Sequence, residues 1–409
     1  MKTIHARPFT HPQWLVALMT LLLCLVLPQR MTGQTSYTVT DVGPLNDLSE
    51  LFSGGGGAVN NQGLVAGQAL LPGGTDRAFR WTRGTLLDLG TLGGSMASAR
   101  SINQRGQIAG WSETSFNGPV HSFFWEQGTM LDLGTFGGDF SEANHVNDRG
   151  QTVGFACTTV PDPEPFPAIG DTECHAFVWT AGVLTDLKTL GGPNSIAIGS
   201  NNSGQIVGWS QIDDNIDPNF GFADFRAAAW ANGTITLLPD LGGGISLATS
   251  INEQGVTVGL SLVPDDSTQH AVIWQNGVLS DLDPGPTVDF GSGAASINNR
   301  GVIVGMTISN DFMPFAAIWQ NGVMTDLNTL IAPDAGWFLF SANGVNDVGQ
   351  IAGVGFFFLD GTFHEFLLTP CPGGGKTGSV GPPPALPDSV RQLLIIRGRF
   401  GLPRPNLGR

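Results

Sequence analysis

The feature that most constrains this chain is the motif Asn-x-x-Gly-x-x-x-Gly, which occurs seven times along the sequence. Neighbouring copies begin 43 to 54 residues apart, and a small residue, Ala or Gly, stands four positions before every Asn. The asparagines are Asn60, Asn103, Asn147, Asn201, Asn252, Asn298 and Asn346, and the first glycines are Gly63, Gly106, Gly150, Gly204, Gly255, Gly301 and Gly349. A period of this length is typical of architectures in which one small unit is repeated and buries its apolar surface against its neighbours. The motif therefore predicts seven repeated units.

Each part of the motif has a structural reason. Asn-x-x-Gly between two apolar runs predicts a hairpin turn, because Asn bonds backbone groups within the turn and Gly accepts a positive φ. The run that follows, such as residues 107–112, reads as a strand, and the second glycine within it predicts a close backbone approach or a bulge. Seven copies in seven units favour a scaffold role for the motif over a functional site.

A second block follows each motif and centres on a tryptophan in six of the seven copies. The central residues are Trp81, Trp125, Trp179, Trp230, Trp274, Trp319 and, in the seventh copy, Leu368. A glycine follows the Trp after three residues, and an Asp follows it after seven in five copies, whereas Leu237 takes that place in the fourth. These spacings predict a second hairpin, and hence four short strands per unit.

The two ends of the repeat region complement one another. Residues 37–43 match a fourth strand without its first three, and residues 364–368 match a third strand without its fourth. A ring closed by one unit built from both ends leaves no open sheet edge. We therefore predict an all-β fold, a seven-bladed β-propeller of four-stranded blades closed by strands from both termini. An open β-solenoid, which needs no complementary ends, is the alternative.

The residues also resemble a known family. The strings that carry the resemblance are residues 175–179 (His-Ala-Phe-Val-Trp), 88–94 (Asp-Leu-Gly-Thr-Leu-Gly-Gly) and 102–110 (Ile-Asn-Gln-Arg-Gly-Gln-Ile-Ala-Gly). Together they are similar to the HAF repeat of bacterial extracellular proteins, and the resemblance covers about residues 37–370. It implies export and a repeat architecture but no particular activity.

Composition divides the chain into three parts. Residues 1–34 hold basic residues followed by an apolar run and predict a cleaved signal peptide, so the protein is expected outside the cell or on its surface. Residues 372–409 form a Gly/Pro-rich linker and basic tail, for which we predict disorder. The first part carries three basic residues and no acidic one, and the tail carries six basic residues and one acidic one. Because the whole chain has a net charge of −16, residues 35–371 have a net charge of −24. Such a body repels nucleic acid, contains no predicted membrane span, and is predicted to be a monomer.

The repeat is interrupted by insertions in units three and four, at residues 157–174 and 210–224. Both insertions are acidic and contain Phe, and equivalent loops of adjacent units lie side by side on a ring. Cys157 and Cys174 bracket the first insertion and are candidates for a disulfide. In the second, Asp213, Asp214 and Asp217 are weak candidates for calcium ligands, because their spacing departs from a calcium loop.

Histidines recur four residues before the central residue of a block, at His121, His175, His270 and His364. Arg77, Arg226 and Phe315 occupy the same position in other units. A position that accepts Arg and Phe reads as a strand end and not as a set of metal ligands. The recurring Asp reads as a turn cap or a bond to the neighbouring strand.

Two functions are compatible with the sequence. The favoured one is a secreted, non-catalytic binding or scaffold module that contacts a glycan, a protein or an envelope component through the long loops. The alternative is an extracellular hydrolase or lyase of carbohydrates on the same scaffold. No catalytic residue and no cofactor is predicted, with calcium as the one metal considered.

Overall fold

The computed structural model describes residues 35–45, 57–71, 75–162, 171–216, 223–264, 268–283, 291–309, 311–371 and 385–392. Within these ranges the chain forms 28 strands, one 3₁₀ turn at Leu327–Leu330 and a short helix at 388–392. The prediction of an all-β fold is confirmed. In the same part of the chain, no helix has the length and apolar character needed to cross a membrane.

Six units are contiguous antiparallel meanders of four strands each. Unit one comprises β2 (Ala58–Val59), β3 (Val65–Leu71), β4 (Thr75–Thr82) and β5 (Thr85–Asp88). Unit two comprises β6 (Ala97–Ile102), β7 (Ile108–Glu113), β8 (Val120–Glu126) and β9 (Thr129–Gly134). Unit three comprises β10 (Gly137–Val146), β11 (Thr152–Pro161), β12 (Thr172–Thr180) and β13 (Val183–Asp186). Unit four comprises β14 (Ser195–Ser200), β15 (Ile206–Ile216), β16 (Ala223–Ala231) and β17 (Thr234–Leu237). Unit five comprises β18 (Ser246–Ile251), β19 (Thr257–Leu262), β20 (Gln269–Gln275) and β21 (Val278–Asp281). Unit six comprises β22 (Ser292–Ile297), β23 (Ile303–Ile308), β24 (Pro314–Gln320) and β25 (Val323–Asp326).

Unit seven takes its strands from both ends of the repeat region. It comprises β26 (Trp337–Val345), β27 (Ile351–Phe357), β28 (Thr362–Pro370) and β1 (Tyr37–Pro44). The first strand of the chain, β1, pairs antiparallel with β28, from Tyr37 opposite Pro370 to Pro44 opposite His364. The N-terminal strand therefore completes the last sheet, as the complementary ends predict.

The apolar core lies between neighbouring units. One buried cluster joins Ala66 and Ala78 of unit one to Ile108 and Phe123 of unit two, and comparable clusters join each later pair. Another cluster brings Val42, Ala352 and Leu367 of unit seven against Val65, Phe79 and Trp81 of unit one. Each sheet thus buries both faces, which explains strands that are apolar on both sides.

The central tryptophans pack in these clusters, and those of units four and five also bond the preceding unit. Trp230 Nε1 donates to the Leu187 carbonyl (3.1 Å), and Trp274 Nε1 donates to the Pro239 carbonyl (2.7 Å). A buried indole N–H requires such a partner. The repeated Trp is therefore part of the core between units, and Trp230 and Trp274 also form hydrogen bonds between units.

The Asn turns are tied to one another by what we call the asparagine cycle, made of the seven motif asparagines. In every turn Asn Oδ1 accepts the N–H groups two and four residues later, and Asn Nδ2 donates to the carbonyl of the next unit's Asn at 2.8 to 3.2 Å. The seventh member, Asn346, donates to the carbonyl of Asn60 in unit one (2.8 Å). The bonds therefore form a cycle of seven without an end.

The two glycines of the motif have the roles expected from the sequence. The first has φ of +74° to +88° in all seven turns, a conformation that suits Gly. In units two to seven the second faces a bulge in the first strand; in unit two, for example, the register shifts between Ala99 and Ser101, opposite Gly110. A Cβ at Gly110 would lie against the Ser98 carbonyl, so the close approach excludes any side chain.

Of the two terminal parts of the chain, residues 1–34 and residues 372–409, only the second includes described residues. Residues 1–34 lie outside the described residues. In the tail, where we expected disorder, residues 385–392 instead lie on the body, with Leu386 buried and Val390 packed beside it. They dock because unit seven offers these two apolar side chains an aromatic surface.

Candidate functional site

The strand order gives the molecule two faces that carry different connections between strands. In an antiparallel meander, successive connections lie at alternate ends. The Asn turns and the turns between third and fourth strands therefore share one end, the turn face. The connections between second and third strands share the other with the links between units, and we call it the loop face. Both long insertions lie on the loop face, in units three and four.

In unit three the insertion is held by a disulfide between Cys157 and Cys174. The two residues lie opposite one another on β11 and β12, with Cα atoms 3.9 Å apart, and both are buried. The structure therefore joins the cysteine pair singled out from the sequence. A crosslink across a hairpin restricts where the insertion beyond it begins and ends, and here it lies just before a register shift, after which Pro161 still pairs with Thr172. Cys371 forms no disulfide within the described residues and lies elsewhere, directly after the end of β28.

Asn194, fully buried in the link between units three and four, connects the two insertions. Its Nδ2 donates to Asp162 Oδ2 (2.6 Å) in the insertion of unit three, and its Oδ1 accepts the N–H of Cys174 (2.8 Å). Its backbone N–H donates to Gln211 Oε1 (3.0 Å) on β15, where the insertion of unit four begins. The adjacency expected of the two loops is therefore built into a buried polar network.

A hollow opens on the loop face of unit three beside the disulfide. Its volume is about 380 Å³, and its lining combines glycines, threonines and two aspartates with one aromatic ring. The lining residues are Gly137, Gly138, Asp139, Phe140, Cys157, Thr158, Thr159, Asp171 and Thr172. Asp139 and Asp171 are exposed, and Phe140 is partly buried with its ring centroid 5.6 Å from that of Phe155. The site can accept hydrogen bonds from hydroxyl groups and offer a ring for apolar contact.

The calcium candidates of unit four are only partly visible. Asp213 and Asp214 lie near the end of β15, where Asp213 Oδ1 accepts the N–H of Asn215 (2.9 Å), and Asp217 lies outside the described residues. Among the residues that are described, no group of three or more His, Cys, Asp or Glu side chains is arranged to hold a metal ion. Calcium binding stays a prediction.

The recurring histidines pair with the recurring aspartates across the third and fourth strands. His121 Nδ1 lies 2.9 Å from Asp132 Oδ2, His175 pairs with Asp186 at 3.1 Å and His270 with Asp281 at 2.8 Å. Arg77 makes the same pair with Asp88 at 3.3 Å. The same aspartates also accept the backbone N–H two residues later, as Asp88 does from Gly90 (2.9 Å). The Asp is thus both turn cap and cross-strand partner.

Asp186 shows how strongly such a carboxylate is held. Burial by itself would raise its pKa, but hydrogen bonds from Lys188 and His175 outweigh burial and hold the pKa below its usual value. The charged form of Asp186 is therefore the structural one.

His364 has surroundings that look catalytic. Its Nδ1 lies 2.8 Å from Asp41 Oδ1, and its Nε2 lies 2.9 Å from Thr362 Oγ1. However, Nε2 also lies 2.9 Å from Asp360 Oδ2, and the Thr362 hydroxyl donates to Asp360 Oδ1 (2.7 Å). A general base needs a free nitrogen lone pair facing its nucleophile. Carboxylates on both sides of the ring make this group a clasp between β28 and β1.

The sequence reading missed a second cycle, formed by the residues that directly follow the motif asparagines. In each case the backbone N–H of one unit donates to a side-chain oxygen of the next unit at 2.8 to 3.1 Å, and Asp347 donates to Asn61 to return to the start. We call this the acceptor cycle; its members are Asn61, Gln104, Asp148, Asn202, Glu253, Asn299 and Asp347. Only a carbonyl-type oxygen is common to them, so no repeated letter marks the position.

Comparisons with known proteins give remote similarities. No family model and no curated protein matches the chain. Among solved structures it is similar to the β-propeller domain of the Trilobed protease from Pyrococcus furiosus, with 12% identity, 85% of this chain and 96% of that chain covered, and a TM-score of 0.49. It is also similar to a Mycobacterium tuberculosis puromycin-hydrolyzing peptidase (11% identity, 80% and 56% covered, TM-score 0.48). A six-bladed lectin from Aleuria aurantia is similar at 11% identity, with 69% and 92% covered and a TM-score of 0.35. These similarities are too remote to transfer a function.

Proposed function

We propose that the chain is an exported, non-catalytic binding module with the form of a closed seven-bladed β-propeller, and that it contacts a glycan through the loop face of units three and four. The bond from Asn346 to Asn60 supports the ring, as does the core shared by units seven and one. In this proposal each four-stranded unit is one blade. The repeat motifs support membership of the HAF-type proteins.

Export is supported by the leader and by the disulfide. A bond such as Cys157–Cys174 persists in oxidising compartments and is rare in the cytosol. The acidic body suits an extracellular environment, where net charge keeps a protein soluble and monomeric.

The observation that carries the glycan proposal is the hollow beside this disulfide. It is where the repeat is interrupted, and it combines the exposed carboxylates of Asp139 and Asp171 with the ring of Phe140. Carboxylates accept hydrogen bonds from sugar hydroxyls, and an aromatic face contacts the apolar side of a sugar ring. Backbone and disulfide hold the lining in place before binding, which reduces the entropy cost of association.

The test is a glycan array probed with the full chain, with and without calcium. For a glycan that binds, Phe140→Ala is expected to weaken affinity about tenfold, which corresponds to ~1.4 kcal/mol. Asp139→Asn combined with Asp171→Asn is expected to weaken it by a similar factor. Affinities are measured by titration calorimetry, and folding is checked by melting temperature.

Two matched controls lie on the same face outside the hollow. Phe116→Ala removes an aromatic ring that is 77% exposed in unit two, and Asp334→Asn removes an exposed carboxylate between units six and seven. Both are expected to bind as the unaltered chain does. Equal losses in controls and hollow variants, or no glycan binding at all, would contradict the proposal. Cleavage of a bound glycan would support a hydrolase or lyase instead.

A further inference from the structure

Unit seven departs from the repeat on the loop face, where it carries a surface of five phenylalanines. We name it the aromatic groove; its members are Phe338, Phe340, Phe356, Phe358 and Phe363. Successive ring centroids lie 5.1 to 5.6 Å apart. Phe340 lies at a register shift between Leu339 and Ser341, and its side chain is fully buried. The aromatic groove is thus an elaboration of one unit and not a part of the repeated scaffold.

The occupant of the aromatic groove is a short segment from the tail of the same chain. Leu386, which precedes the helical turn at 388–392, is 7% exposed within the cluster, and Val390 in that turn packs beside it. The turn is closed by hydrogen bonds from the N–H groups of Val390 and Arg391 to the Pro387 carbonyl, both 3.0 Å. Asp388 and Ser389 face solvent. Two apolar side chains of this segment therefore take part in the cluster.

One ion pair accompanies these apolar contacts. Arg391 Nη2 lies 3.0 Å from Asp311 Oδ2 of unit six, and the two side chains are 42% and 60% exposed. Salt and water screen such a pair, so it orients the segment more than it holds it. Thirteen residues, 372–384, connect the segment to the end of β28 at Pro370 and Cys371. The segment is therefore a tethered ligand with a small contact surface.

We propose that the aromatic groove is a docking site for an apolar helical segment and that residues 385–392 of the same chain are its occupant. This segment leaves the aromatic groove and binds to it again while it stays attached to the chain. Leu386 and Val390 enter the aromatic groove, and Arg391 sets the direction of the segment along Asp311. The site lies on units six and seven, away from the hollow of unit three, and it does not depend on glycan binding.

The experiment measures how tightly a fluorescein-labelled peptide of residues 384–393 binds the full chain in fluorescence anisotropy. In the unaltered chain the tethered segment competes with the peptide. In Leu386→Asp the tethered copy is released, because a carboxylate does not enter an apolar groove. The peptide is then expected to bind at least about tenfold more tightly, since the apparent affinity rises with the fraction of open sites.

Ser389→Asp is the matched control, because it adds the same charge at an exposed position of the same segment. It is expected to bind the peptide as weakly as the unaltered chain. Adding Phe358→Ala to Leu386→Asp is expected to abolish the gain at an unchanged melting temperature. Equal affinity in all variants, or a gain that survives Phe358→Ala, overturns the proposal. Concentration-dependent dimers of the unaltered chain that disappear in Leu386→Asp would assign the segment to a second copy and overturn an intramolecular occupant.

Discussion

At the scale of single residues, the turn asparagines show why an amide and not a carboxylate stands at this position. The Oδ1 of Asn103 accepts two backbone N–H groups of its own turn, and its Nδ2 donates to the Asn147 carbonyl (2.8 Å). An Asp would keep the first function and lose the second. It would also bring a carboxylate against a carbonyl oxygen in a position that is only 3% exposed.

Asn103→Asp is therefore expected to lower the free energy of unfolding by about 3 kcal/mol, since the Asn147 carbonyl keeps only the Gly150 N–H as a donor and faces a buried carboxylate. Gln104→Glu, one residue later, is the matched control. Its Oε1 accepts the Asn61 N–H, and Glu253 already fills the equivalent position in unit five. Urea unfolding of both variants at pH 7 measures the difference, and similar losses would show that the amide donor is unimportant.

His145 gives the residue scale a pH dependence. Burial lowers its pKa to about 4, and the nearby Asp148 carboxylate only partly offsets burial; Nδ1 lies 3.0 Å from Ser200 Oγ. The usual pKa of histidine is 6.5, so between about pH 4 and pH 6.5 the unfolded chain binds a proton that the folded chain does not. This contribution to stability is fully present above pH 6.5 and is lost as the pH falls towards 4.

His145→Gln removes the titrating group while retaining a side chain that can bond Ser200. From pH 8 to pH 5, the unaltered chain is expected to lose up to about 2 kcal/mol more of its unfolding free energy than the variant does. Denaturant unfolding of both proteins at the two pH values measures this loss. Parallel stability curves would mean that His145 is protonated alike in the folded and unfolded chain.

At the scale of elements, the strand pattern was open to prediction because its determinants are single letters. Gly at a positive φ and Asn in a turn have few substitutes, so their spacing fixes where hairpins lie. The bulge opposite Gly110 follows from the same logic. The His–Asp pairs were harder to recognise, because His121 and Arg77 are different residue types that each place a side-chain nitrogen against an Asp.

Other elements could not be read from the sequence for physical reasons. The acceptor cycle uses any side chain with a carbonyl-type oxygen, so its position shows no recurring residue. The aromatic groove draws Phe338 and Phe363 from different strands and its cover from the tail, and no local pattern reports such distant contacts. The hollow lies at an insertion that the sequence did mark, but Asp139 and Phe140 come from β10, the first strand of unit three.

At the scale of the whole molecule, the pairing of β1 with β28 completes the seventh sheet. Val42 on β1 is buried against unit one, and His364 on β28 is clasped by Asp41. Without β1, the main-chain groups of β28 would form an open edge on which another chain can pair.

Deletion of residues 35–44 is therefore expected to lower the melting temperature and to produce oligomers in light scattering. A circular permutant that begins at residue 57 and joins residue 371 to residue 36 by a short turn restores the strand as a hairpin partner of β28. It is expected to be monomeric and to melt above the deletion variant. A deletion variant that stays monomeric with an unchanged melting temperature would contradict closure by β1.

The asparagine cycle has a consequence for how such a chain grows. Every turn carries both halves of the joint, a donor for the unit ahead and an acceptor for the unit behind, and all seven bonds run in one direction. A duplicated unit inserted anywhere inherits both halves and needs no new partner. The motif itself therefore does not set the number of units. The series of units is completed by the divided seventh unit, in which β1 pairs with β28.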